Sequence, residues 1–165
     1  MSQQLNTLRS ILPPSEVFEP GQAQYKTQSQ PWSTQAELHP KLVVQPTSLV
    51  KMQEIVKLLY ESELDFAIRN TWTGSTSARD VILSTHGFKS FSFDQASETV
   101  IIGSGLDWGE VDRLMEDGAK GYVVVGARCP YVYRWMKALE VKRLRDISLR
   151  STPAQGCSNS VALAA

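Results

Sequence analysis

Short β-branched runs alternate with amphipathic stretches along the middle of this chain, and few folds accept that order. LVVQP, Leu42 to Pro46, reads as a strand closed by proline, because the residue before a proline is pushed out of the helical region. Thr47 or Ser48 then caps a helix in which Met52, Ile55, Val56 and Leu59 recur at i, i+3, i+4 and i+7, one apolar face. FAIR (Phe66 to Arg69), DVILS, FSFD and TVIIGSG read as four further strands, since each is a β-branched or aromatic run bounded by Asp, Ser or Gly. A second helix follows with clear punctuation. Asp107 is its N-cap with Glu110 three residues on, Trp108, Val111, Leu114 and Met115 face inward, and Gly118 stops it. YVVVG is another strand. The order β-α-β, three strands, α, β implies an α/β or α+β domain in which helices cover a mixed sheet, and the expectation is an α+β domain over about residues 38–126.

The flanks differ in character. Residues 1–37 are rich in Gln, Ser and Pro, and are expected to form a loosely attached N-terminal arm with short helical turns around Ala23 to Gln30. From Tyr133 the sequence YRWMKALEVKRLRDISLR suggests a basic helix, although its apolar positions keep to no single stripe; STPAQGCSNSVALAA carries turn formers and is expected to be disordered. The divisions are thus 1–37, 38–132 and 133–165. Basic and acidic residues balance at 17 each, with net −4 over 1–132 and net +4 over 133–165. That balance argues against a general polyanion binder, so no nucleic-acid partner is expected. At 165 residues and 42% hydrophobic content, one core is expected.

Cys129 and Cys157 are too few for a disulfide scaffold, and their spacing from His39 and His86 fits no zinc motif, so no metal is expected. The N-terminus has no signal-peptide pattern and no segment approaches about 20 apolar residues, so the expectation is a soluble, cytoplasmic chain without a membrane partner.

Three segments are candidates for chemistry. The loop Asn70 to Ser77 after FAIR is dense in small hydroxyl residues around Gly74; backbone N–H groups converging after a strand can bind phosphate oxygens, although such residues also cluster in ordinary turns. In GARCPYV, Gly126 to Val132, Cys129 is first of all a small buried hydrophobe, while the guanidinium of Arg128 beside it favours a thiolate. GSGLDWGEV, Gly103 to Val111, is either a glycine-lined approach to a ligand or a strand-to-helix turn, with Trp108 as helix core.

Taken in order, HPKLVVQPTSLVKMQEIVKLL, FAIRNTWTGSTSARDV, TVIIGSGLDWGEV and YVVVGARCPYV resemble the flavin-binding half of the FAD-linked oxidoreductases of the vanillyl-alcohol oxidase and p-cresol methylhydroxylase superfamily. Within it, the chain is similar to the berberine bridge enzyme-like proteins of fungi, from about Leu12 to Val132. The resemblance implies the first subdomain of a p-cresol methylhydroxylase-type FAD-binding domain, with FAD as cofactor and partner. It implies that Arg69 ends the strand leading to the flavin pyrophosphate loop, and that Asn70, Thr71, Trp72, Thr73, Gly74 and Ser75 form that loop. In the family the loop commonly has two glycines and a histidine that bonds to the flavin. Here those positions are Thr71, Trp72 and Thr73, so a histidyl link is absent. Cys129 falls on the cysteine that attaches to the flavin ring in bicovalent members.

The likeness stops after Val132, where a glycine-rich turn is replaced by YRWMKALEVKRL. The resemblance thus implies a truncated, incomplete flavin domain of an oxidoreductase of small-molecule, secondary-metabolite biosynthesis. Such an enzyme takes hydride from its substrate and is reoxidised by oxygen, and it needs a substrate domain supplied from elsewhere. Exposed apolar surface would then favour self-association. The alternative is a non-catalytic remnant or partner-binding module without oxidoreductase activity.

Overall fold

The computed structural model describes residues 2–31, 33–70, 77–124 and 139–143. The chain divides into two compact units, residues 1–88 and 89–165. The first is built on a four-stranded sheet in the order β1 (Val17–Phe18), β2 (Leu42–Val44), β4 (Val81–Ser84), β3 (Phe66–Arg69). β2 and β3 both run parallel to β4, with Val44 opposite Leu83 and Arg69 opposite Ser84, while β1 pairs antiparallel with β2.

Parallel strands are stable when covered on both faces, and the residue pattern supplies both covers. Leu42, Val44, Val81 and Leu83 pack in one cluster with Leu5, Leu8 and Leu12 from α1 (Ser2–Ile11) and its end, and with Ile55 and Leu59 of α3 (Leu49–Tyr60). The alternate residues Val43 and Ile82 pack with Phe18 and with Tyr25 of α2 (Tyr25–Ser29). Tyr25 also donates its hydroxyl to the Pro40 carbonyl, and burial raises the pKa of that phenol.

The segment expected to be a loose arm is therefore part of the core. Leu5, Leu8 and Leu12 are buried, and Gln45 N–H donates to the Glu16 carbonyl at 2.9 Å, beside the β1–β2 pair. The physical reason is the spacing of the leucines, i, i+3 and i+7, which gives even a Gln- and Ser-rich helix one apolar side. α3 forms where expected, with Ser48 at the N-cap position but making no side-chain capping bond. Of its expected apolar face, Ile55 and Leu59 are buried and Met52 packs against the core, whereas Val56 is turned outward, 42% exposed.

At the amino ends of the parallel strands, Asp80 acts as a tie. One carboxylate oxygen accepts from Lys41 Nζ at 2.6 Å, and the other accepts from Asp65 N–H at 2.9 Å. Asp65 in turn accepts from Arg79 N–H at 2.8 Å. The residue before β2, the residue before β3 and the residue before β4 are thus fastened together.

At the opposite ends, Gly87 lies against the chain that leaves β2. A Cβ there would sit 2.6 Å from the Pro46 carbonyl oxygen and 3.1 Å from Thr47 Cγ2. The first obstacle is backbone and cannot swing aside. Gly87→Ala is accordingly expected to destabilise the chain by about 1–3 kcal/mol. An unchanged denaturation midpoint would show that this approach is not close-packed.

The second unit is an antiparallel sheet in the order β5 (Phe91–Asp94), β6 (Thr99–Ile102), β8 (Leu139–Arg143), β7 (Tyr122–Val124), with α4 (Trp108–Gly118). The expected capping box is formed: Glu110 N–H donates to Asp107 Oδ1 at 2.6 Å, and Asp107 N–H donates to Glu110 Oε2 at 3.0 Å. Val100, Leu106, Trp108, Val111, Met115, Ala119 and Val124 make the core, with Leu114 partly buried against it. The Phe93 and Tyr122 rings meet at 5.1 Å.

β8 corrects the basic helix expected from Tyr133. Residues 139–143 extend between β6 and β7, because a segment without a single apolar stripe gains more from ladder hydrogen bonds than from a helix with nothing to bury. The rest of that segment, and the tail with Cys157, lie outside the described residues. Among the described residues, no helix is long and apolar enough to cross a membrane, and no group of His, Cys, Asp and Glu could hold a metal ion.

Candidate functional site at the carboxyl ends of the parallel strands

Because β2, β4 and β3 are parallel, their carboxyl ends share one edge, which is where open α/β sheets receive ligands. Three short segments leave the sheet there. Gln45 follows β2, Asn70 follows β3, and Thr85 and His86 follow β4.

Arg69, the last residue of β3, is 5% exposed. Its Nη1 donates to the Ser29 carbonyl at 3.0 Å and to the Gln30 carbonyl at 3.2 Å. Burial lowers its pKa, yet a guanidinium stays protonated under any ordinary condition. Its own carbonyl accepts from Thr85 N–H at 2.9 Å. Arg69 thus holds the end of α2 against the end of β3 and fixes where the following loop begins.

Asn70, the first loop residue, has its Oδ1 buried with no hydrogen-bond partner. Gln45 Oε1 is in the same condition at the end of β2. Polar atoms left in that state are uncommon and call for an explanation, of which a bound ligand is one. Arg69 and Asn70 lie at the end of β3, and Gln45, a residue that sequence reasoning missed, lies at the end of β2 on the other side of β4. Nothing in the sequence separates a glutamine before a proline from a solvated one. Thr71, Trp72, Thr73, Gly74, Ser75 and Cys129 lie outside the described residues.

GSGLDWGEV resolves as a strand-to-helix turn, with Trp108 in the core of the second unit. Its Nε1 is a buried donor without a partner. An open groove lined by Gln4, Glu54, Lys57, Leu58 and Glu61 contains none of the candidate site residues.

The model of an FAD-binding domain family matches residues 40–131, more than half of the chain. An uncharacterized FAD-linked oxidoreductase of Arthroderma benhamiae is 31% identical over 121 residues, which is 68% of this chain and 24% of that protein. An FAD-linked oxidoreductase of Dictyostelium discoideum is 29% identical over 100 residues, 59% of this chain and 22% of that protein. The chain therefore spans about a quarter of the length of these relatives. Among solved structures, wild-type BBE-like 1 of Physcomitrella patens superposes with a TM-score of 0.66 at 20% identity, covering 79% of this chain and 29% of that one. A berberine bridge enzyme variant gives 0.61 at 15% identity, with the same coverage. At those identities the likeness is one of fold. With its mixed α+β architecture and the matched family model, the chain belongs to the FAD-binding domain family, whose cofactor is FAD, and it shares the fold of berberine bridge enzyme-like proteins.

Proposed function

We propose that this chain is the nucleotide-holding part of an FAD-linked oxidoreductase of small-molecule, secondary-metabolite chemistry, with its substrate-facing residues supplied by polypeptide beyond it. The observation that carries the reading is the edge where β2, β4 and β3 end together, with two buried side-chain oxygens unpartnered there. Residues that leave hydrogen-bonding capacity unused at such an edge fit a polar cofactor. When bound, FAD supplies a ring that accepts a hydride from the substrate.

The protein's own part is to bind and orient. Arg69, held on the Ser29 and Gln30 carbonyls, positions the start of the loop, and Asn70, Thr71, Trp72, Thr73, Gly74 and Ser75 are assigned to the pyrophosphate. Cys129 is assigned to a covalent link with the flavin ring. Its family-like surroundings, GARCPYV, support that role. The outward Leu49, Val56 and Tyr60 of α3 supply apolar surface for self-association.

Purified chain incubated with FAD is expected to turn yellow and to quench flavin fluorescence. Colour that survives denaturation in the wild type and disappears in Cys129→Ala supports the link. Protein that stays colourless and takes up no FAD overturns the assignment.

A further inference from the structure

We infer that a second copy of this chain packs on the outward side of α3, with the two helices antiparallel about a two-fold axis. The inference rests on the self-association proposed above and deepens it, and it does not depend on the cofactor.

At about 100° per residue, Leu49, Gln53, Val56 and Tyr60 fall in one narrow stripe, turned from the side of α3 that carries the buried Ile55 and Leu59. Leu49, Val56 and Tyr60 are 69%, 42% and 85% exposed, and Gln53 is exposed as well. Single outward apolar residues are ordinary on a protein surface, but three in line along one helix form a patch.

The spacing selects the occupant. Steps of four, three and four residues read the same in both directions, so the stripe fits a reversed copy of itself: Leu49 meets the partner's Tyr60, and Gln53 meets the partner's Val56. Reversal also sets the amino end of each helix beside the carboxyl end of the other, the favourable order for their dipoles. Charge follows the same symmetry. Beside the stripe, Lys57 comes within two residues of the level of the partner's Glu54, and the contact occurs twice. Both side chains are exposed, and among the described residues Lys57 makes no ion pair, while Glu54 meets only Lys51, at 3.2 Å. The stripe offers roughly 300–500 Å² per copy. Two copies together bury less than about 1,200 Å², the weak class of interface. The dimer is therefore reversible, with half association on the order of 100 μM.

The test is sedimentation equilibrium on the full chain from about 10 μM to about 1 mM. The wild type is expected to pass from monomer to dimer across that range. Leu49→Ser and Tyr60→Ser are each expected to weaken the dimer about tenfold, with the monomer's melting temperature unchanged because both side chains point outward. Each charge reversal, Lys57→Glu or Glu54→Lys, sets like charges against each other and is expected to weaken dimers of that variant about tenfold; an equal mixture of the two variants should regain wild-type association, since every contact then joins opposite signs. A wild-type chain that stays monomeric throughout overturns the pairing and the self-association reading together. Wild-type dimers that the serine variants leave intact, or a mixture no stronger than either variant alone, overturn the pairing and place self-association on another surface.

Discussion

Deletion of residues 1–12 is expected to abolish cooperative unfolding of the first unit. The segment contributes Leu5, Leu8 and Leu12, at 6%, 0% and 5% exposure, to the cluster that also holds Leu42, Val44, Val81 and Leu83. Burying a leucine stabilises by about 1.5–3 kcal/mol, so three of them account for roughly 5–9 kcal/mol. A domain of this size has only about 5–15 kcal/mol in total. The truncated chain should show a broad, shallow thermal transition by circular dichroism and fast amide exchange throughout β2 and β4. The single substitution Leu8→Ala should lower stability by about 2–5 kcal/mol while keeping the transition sharp. A sharp transition at the original temperature after the deletion would remove α1 from the core.

Acid should dissolve the other end of the sheet through Asp80. Its hydrogen bond from Lys41 holds its carboxyl below the usual carboxylate range, with the Asp65 N–H bond acting in the same direction and burial opposing both. A carboxylate whose folded pKa is depressed contributes stability that is fully present above its unfolded value of about 3.9 and is lost as pH falls through the folded pKa. The wild type should therefore lose stability progressively from about pH 5 downward, whereas Asp80→Asn should be flatter over that window. At neutral pH, Asp80→Ala should lower stability by about 2–3 kcal/mol, because the Lys41 ammonium and the Asp65 N–H both lose a charged acceptor. Lys41 is about half exposed and regains water, which keeps the loss below that of a fully buried pair. Parallel acid titrations of the wild type and Asp80→Asn would refute the assignment.

What could be read in advance followed from local chemistry. The Asp107–Glu110 capping box is a four-residue signal that needs no tertiary partner, and it appears as expected. The runs FAIR, VILS, FSFD and TVII are strands for a similarly local reason. The misreadings came where distant partners decide. α1 looked like polar arm because Gln and Ser mask the leucine spacing that α3 and the sheet exploit. β8 looked helical because its ladder partners, β6 and β7, lie far away in sequence. Arg69 was legible as the end of a strand, but its attachment to the Ser29 and Gln30 carbonyls was not, since those acceptors are some 40 residues earlier. Gln45 carries no mark at all until its burial is known.

The position of β4 between β2 and β3 sets the order in which the molecule can assemble. β2 and β3 come first along the chain yet share no ladder, so neither has a partner in the parallel sheet until β4 arrives from beyond residue 80. The stretch joining β3 to β4 includes residues 70–75, which we propose for the cofactor. Docking β4 closes two connections at once, the short one from β3 and the longer one from β2 through α3 and β3, and each carries a loop-closure cost. Cofactor present during refolding should therefore raise the yield of closed sheet, and substitutions that slow the docking of β4 should slow the appearance of binding to the same degree.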